Sequence, residues 1–293
     1  MEPLRVAVRR GTFVECVHDV HGVAVRDGEQ VAAFGDPSLV ASLRSAAKPI
    51  QALPLARAYP DLGDEELAIA AASHFGTERH VAAVRRLLAA TGGREEELDC
   101  GIQDGRPPEP IYDNCSGKHA GMLAVCRAHG WPVEGYRHPD HPLQRSLLAE
   151  VAAAAELNES DVGTGVDGCG VVAFAIPLER AALAFSRLEQ LDGGVRVAAA
   201  MRAHPELVGG EGATDTTLMQ RHPGVVAKGG AEGLFCAGGR RLGLALKVAD
   251  GNPRALRPAL AAVGGQLGLP LEAFAEVPVR NRHGEQSAMV SVL

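Results

Sequence analysis

Strand-like patterning stands at both ends of this chain and helical patterning fills the middle. That order limits the folds open to it. Near the N-terminus, RVAVRRGTFVECVHDV and GVAVRDGEQVAAFGD are rich in Val and partly alternate, and RDGE between Val25 and Val31 is a hairpin signal. From about Ser45 to Arg202 the pattern is Ala/Leu/Arg helical, as in IQALPLARAY, DEELAIAAAS, RHVAAVRRLLAAT, AGMLAVCRAH and PLQRSLLAEVAAAAEL. DGRPPEPIYDNCSG and GTGVDGCGV read as loops between helices. After the Gly-rich LVGGEGATDT, GLFCAGGRRLGLALKVADG reads as a hairpin with a GG turn, NPRALRPALAAVGGQL as a helix entered through Asn-Pro, and VPVRNRHGEQSAMVSVL as a closing strand. The simplest arrangement is an α+β fold, an α/β sandwich whose one antiparallel sheet is built from both chain ends around a helical insertion. The expected organisation is a single composite domain. Residues 1–44 and 212–293 give the sheet part with a C-terminal helix, and residues 45–211 give a mostly helical part.

A chain of 293 residues with 46% hydrophobic and 22% charged residues buries a substantial core. A net charge of −7 without a basic run argues against nucleic acid as a partner. MEPLRVAVRRGTFVECVHD has no apolar region of signal-peptide type, and no stretch reaches the roughly 18 apolar residues of a membrane span. The expectation is a cytoplasmic protein without membrane contact. Six scattered cysteines in a chain this size suggest metal binding or reactivity rather than a disulfide framework.

Three short elements carry chemistry. In RSAAKP, Ser45 and Lys48 form S-x-x-K, and at i and i+3 on a helix the amine reaches the hydroxyl. A neutral lysine there can take the serine proton. Pro49 is compatible only with a helix beginning no earlier than about Ser45, which sets the serine at the positive end of the helix dipole. The plainer reading is a capping serine with a surface lysine. In YDNCSGKH, Asn114 either holds a ligand or caps the following helix. Cys115 and Lys118 stand three apart on one helical face, where a lysine would lower the pKa of a thiol nucleophile. Taken alone, Cys115 and Cys169 also read as buried thiols or a redox pair. In AKGGAEGLF, Lys228 precedes two glycines at a strand start, where a ligand can approach the backbone closely or a bland turn can form.

The order S-x-x-K, Y-x-N, K-G-G resembles the serine β-lactamase, penicillin-binding protein and glutaminase superfamily, with its S-x-x-K, S-D-N or Y-x-N, and K-T-G elements. RSAAKPIQALPL, ASHFGTERH, NCSGKHAGML and VDGCGVVAFAIPLERAA narrow the resemblance to the asparaginase II family, the third structural class of L-asparaginases. It runs from about Val6 to the C-terminal helix.

The resemblance implies a serine β-lactamase/glutaminase-like fold, a homodimer and hydrolysis of L-asparagine to L-aspartate and ammonia. It implies two Ser/Lys pairs. One is Ser45 with Lys48. The other is Ser73 with Lys228, or with Lys247 on a neighbouring strand. It also implies a zinc ion held by Cys115, Lys118, Cys169 and water. Arg44 is then placed to hold a substrate carboxylate through its planar fork. Asp167 is placed to hold the substrate amine or support the metal, and Asn114, His74 and His119 to contact substrate. The remaining cysteines, Cys16, Cys100, Cys126 and Cys236, read as buried thiols. Glutaminase or β-lactamase-like acyl hydrolysis on the same scaffold, or a non-catalytic zinc protein, are the competing readings.

Overall fold

A computed structural model describes residues 1–293. Its strands are β1 (Leu4–Arg10), β2 (Phe13–Arg26), β3 (Glu29–Phe34), β4 (Val40–Ser42), β5 (Gly163–Val166), β6 (Val172–Pro177), β7 (Val226–Gly229), β8 (Leu234–Gly239), β9 (Leu242–Val248), β10 (Val277–Arg280) and β11 (Gln286–Val292). The main sheet runs β10-β11-β1-β2-β9-β8-β7. The fourteen-residue β2 spans it, pairing β9 along one edge from Val20 to Arg26 and, on the other, β1 with its first half and β3 with its second. All these pairings are antiparallel. They include β1 with β11 in the register Val6↔Val292, so the two chain ends share one sheet. The fold is α+β, as the segment order requires.

Helices cover both faces of the sheet, and the sequence records how closely they sit. The cross-strand pair Gly238↔Gly243 faces helix Leu178–Arg187. A Cβ at Gly238 would stand 2.2 Å from the Phe185 carbonyl oxygen, and one at Gly243 would stand 1.9 Å from that of Ala182. On the opposite face, the next pair, Ala237↔Leu244, borders an apolar cavity shared with Leu260 of helix Leu256–Leu267. Central strands buried on both faces explain why Val6 to Val8 and Val23 to Val25 read as unbroken apolar runs.

Three local readings change. The closing segment is a hairpin, β10 and β11, turning at exposed Asn281–Gly284, not one strand. The β8–β9 turn is made by Arg240 and Arg241, both with positive φ, so the two glycines lie on the strand side of it. The Gly-rich GTGVDGCGV contains β5, which pairs with β6 and, through it, with β4 in a second, three-stranded sheet. No helix is long and apolar enough to cross a membrane.

Candidate active site

Helix Ser116–His129 runs through the middle of the helical half, and every residue from Ser116 to Cys126 is buried. Such a helix has no polar stripe, and it meets its neighbours through small residues instead. A Cβ at Gly117 would lie 2.1 Å from the Ile69 carbonyl oxygen, so the first turn of this helix rests directly on the end of helix Asp64–Ala70. The chain leaving that helix therefore delivers Ser73 and His74 to the start of Ser116–His129. Backbone bonds from Ser73 N–H to Val208 O (2.8 Å) and from His74 N–H to Asn114 O (3.2 Å) pin it there.

Lys48 enters the same space from the other side. The turn Arg44–Ala47 is 3-10, and the α-helix begins at Lys48 with Pro49 in its first turn. Lys48 is fully buried. Its Nζ lies 2.5 Å from Ala72 O, 3.0 Å from Ser73 Oγ and 3.4 Å from Asn114 O. Burial pushes its pKa below the ordinary lysine range. The cations of Lys118 and Lys228 add to this, and Cys115 opposes it. The hydroxyl that Lys48 touches is thus Ser73, not the Ser45 that S-x-x-K spacing suggested; no hydrogen bond joins Ser45 to it.

Ser45 follows a strained residue. Arg44 has φ +46°, a left-handed conformation that costs a non-glycine residue about 1 kcal/mol or more. The small sheet holds it: β4 pairs with β6, Leu43 N–H donates to Phe174 O at 2.7 Å, and Arg44 Nε donates to Asp167 Oδ1 at 2.5 Å. Burial raises the pKa of Asp167, but Lys118, the Gly168 N–H and Arg44 outweigh it and keep the carboxyl below its usual range. The β5–β6 turn that carries Asp167 also carries Cys169.

Cys115, Lys118 and Cys169 converge, and all three are buried. Lys118 Nζ donates to Cys169 Sγ at 3.0 Å. Cys115 is held well below the usual thiol range by its hydrogen bond with Cys169 and, against burial, by Lys118 and Lys48. The same hydrogen bond and burial push Cys169 up. Burial opposes the charge on Lys118, yet the sulfurs overcome it and hold the lysine as an ammonium. No three His, Cys, Asp or Glu side chains are arranged so as to hold a metal ion together. A third protein donor to a metal here would have to be the amine.

The remaining candidates separate. Lys228 is buried but donates to Asp215 Oδ2 (3.2 Å) and Gly229 O (3.0 Å), so the expected Lys228–Ser73 pair is not formed. Lys247 donates to Glu232 O and Val248 O. What approaches Gly230 is the chain itself, since a Cβ there would stand 2.7 Å from Leu43 O. That contact sets the end of β7 beside the turn bearing Ser45. Asn114 does not cap the helix; Asp113 Oδ1 takes the Cys115 N–H at 2.7 Å, and the Asn114 side chain is not hydrogen-bonded within the chain.

His74 Nδ1 accepts from Gly76 N–H, so its Nε2–H donates to Ser116 Oγ at 2.9 Å. Burial, with His80, Lys48 and Arg106 nearby, keeps it neutral. Its bonds are structural. His119 accepts at Nδ1 from Tyr136 O–H (2.6 Å), because the Tyr136 oxygen already accepts from Asp99 N–H. Its buried Nε2 has no partner in the chain. Sequence reasoning missed two contributors, Asp215 and Arg106, whose guanidinium clasps His74 O and Tyr112 O. Both lie in loop-like stretches with no periodic pattern to single them out.

Fold and site define an α+β protein with amines, hydroxyls and thiols buried together, the materials of nucleophilic acyl transfer. The chain belongs to the L-asparaginase II family, whose pattern matches residues 6–292. The family places it among hydrolases acting on amides. No curated protein matches it. Among solved structures it is similar to a β-lactamase (Mb2281c) from Mycobacterium bovis, at 16% identity and a TM-score of 0.37, over 84% of this chain and 93% of that one. It is also similar to Mglu in its native form, at 14% identity and a TM-score of 0.39, over 86% of this chain and 65% of that one.

Proposed function

We propose that this chain hydrolyses the side-chain amide of L-asparagine to L-aspartate and ammonia, with Lys48 as the base. The observation that supports this is Lys48 Nζ, fully buried beside the Ala72 and Asn114 carbonyl oxygens and 3.0 Å from Ser73 Oγ. A buried amine without a carboxylate partner is free to work as a proton acceptor. Ser45, next to Arg44 and at the start of the helix, attacks the amide carbon. Its proton passes through Ser73 to Lys48, ammonia leaves carrying that proton, and water hydrolyses the acyl-enzyme. Arg44 and Asp167 bind the α-carboxylate and α-ammonium of the substrate as an exchange of partners, since they already pair with each other.

The donor set of Cys115, Cys169 and Lys118 fits zinc, because two sulfurs and one nitrogen converge in a buried site. When bound, the dication would supply fixed positive charge at the substrate-binding end. Lys118 would have to give up the proton that the sulfurs now hold on it.

The test is ammonia release from L-asparagine and, in parallel, L-glutamine and nitrocefin, with acid-quenched samples read by mass spectrometry. Asparagine turnover with the acyl group on Ser45 is the expected result. An adduct on Ser73 would move the nucleophile there, and turnover of neither amide would sink the reading. Discrimination against glutamine is expected to be modest, because one methylene is worth about 1–3 kcal/mol.

A further inference from the structure

Lys48 and Lys228 are both fully buried, and their partners differ in kind. Lys48 donates to two carbonyl oxygens and the Ser73 hydroxyl and has the Cys115 sulfur beside it, whereas Lys228 meets a carboxylate. Asp215 supplies that carboxylate from the first turn of helix Thr214–Arg221, and it is itself buried. Both of its oxygens are engaged. Oδ1 accepts the Thr216 N–H at 3.0 Å, and Oδ2 accepts both the Gly229 N–H and the Lys228 ammonium at 3.2 Å. One oxygen thus holds the backbone and the side-chain tip of adjacent residues. Gly209 closes the other side, since a Cβ there would stand 2.2 Å from Oδ1. The carboxylate has nowhere to turn.

Lys228 spends two of its three N–H groups on Asp215 and the Gly229 carbonyl, which leaves one for the site. Its position near the turn of Ser45 follows from the packing of β7 on that turn: the glycine two residues on abuts Leu43 O, one residue before Arg44 and two before Ser45.

We infer that Asp215 is a positioning residue that clamps the Lys228 ammonium near the turn bearing Ser45, so that Lys48 moves the proton while Lys228 stabilises the negative charge developing on the amide oxygen. The inference rests on the amide-hydrolase reading above and adds a division of labour to it. It gives the K-G-G lysine an electrostatic task in place of activating a second serine. Fixed charge of this kind acts in the transition state more than in substrate binding, so it shows in kcat.

The test is a double-mutant cycle of Asp215→Asn and Lys228→Met, with kcat, KM and melting temperature measured for each. Asp215→Asn is expected to lower kcat about 10²-fold with KM within about two-fold, and Lys228→Met to lower kcat at least as far. The double variant is expected to match Lys228→Met alone, because a clamp has no value once its lysine is gone. It should also melt above Asp215→Asn, which leaves a buried ammonium unpaired. Wild-type kcat in Asp215→Asn, or single losses that multiply in the double variant, would overturn the inference. If the wild type releases no ammonia from asparagine, the functional reading fails on its own. The melts then decide the clamp, and a double variant no more stable than Asp215→Asn removes it.

Discussion

In the proposed mechanism Lys48 is the base, and its environment sets a pH signature. An amine held below its ordinary range must be neutral to accept a proton, so kcat/KM rises with pH through that lowered value and levels off above it. Lys48→Met should cost about 10³-fold in kcat/KM and leave what little activity remains without that rise, which initial rates from pH 5 to 10 would show. Cys169→Ser tests the proposed metal set separately: zinc content by elemental analysis should fall from near one per chain to near none. His74 carries the opposite kind of information, about stability. Burial, His80, Lys48 and Arg106 hold its folded pKa well below the unfolded value of about 6.5. The unfolded chain is then the better proton binder below that value. The stability is fully present above about pH 6.5 and is lost as pH falls toward the folded pKa. Urea midpoints should drop from pH 7 to pH 5, and in His74→Gln that dependence should flatten by about 1 kcal/mol per pH unit. An unchanged slope would show that other groups carry it.

At the scale of elements, the site depends on how tightly helix Ser116–His129 rests on helix Asp64–Ala70. Gly117→Ala puts a methyl group 2.1 Å from the Ile69 carbonyl oxygen, so the two helices must part. The expected loss is about 2–4 kcal/mol in chemical denaturation, with kcat falling alongside because Ser73 and Cys115 move relative to each other. Gly121→Ala, one turn on, meets only Ala70 Cβ and Leu55 Cδ2 at 3.3 Å, and alanine's better helix propensity offsets that crowding. It should change stability by less than about 1 kcal/mol. Equal effects from the two substitutions would refute the contact argument. The same elements show what the sequence could say in advance. C-x-x-K spacing is local, and a helical turn brings such residues together, so Cys115 and Lys118 were legible as neighbours; S-x-x-K singled out Lys48, but the hydroxyl beside it is Ser73. Ser73 was found only through family resemblance, because its role comes from a loop set against a different helix. The partner of Lys228 was not legible at all. Asp215 lies in a Gly-rich segment, and the pairing arises only when helix Thr214–Arg221 docks on β7. The strand β5 was hidden because GTGV has the composition of a loop, and all four of its residues remain exposed.

For the whole molecule, the decisive fact is that the sheet cannot be completed until the last residues are present. β11 lies between β10 and β1, Val292 is opposite Val6, and Leu293 N–H donates to Arg5 O at 2.9 Å. That pairing closes a loop of nearly the whole chain, and loop closure of this length delays non-local contacts. Removing residues 281–293 would strip β1 of one neighbour and expose Val6 and Val8, so this truncated chain should lack a cooperative melting transition. A permuted chain tests the same idea without removing anything. If the exposed turn at Arg282–Gly284 is opened and Leu293 is joined to Met1 by about six Gly/Ser residues, β11 and β1 become neighbours in sequence. Every side-chain contact of the site is left as it was. The permuted chain should therefore keep its ammonia release and its single transition while refolding several-fold faster than the natural order, as stopped-flow fluorescence would register. A truncated chain that melts cooperatively, or a permuted chain that refolds no faster, would show that the helical half sets both stability and rate, with the terminal strands added late.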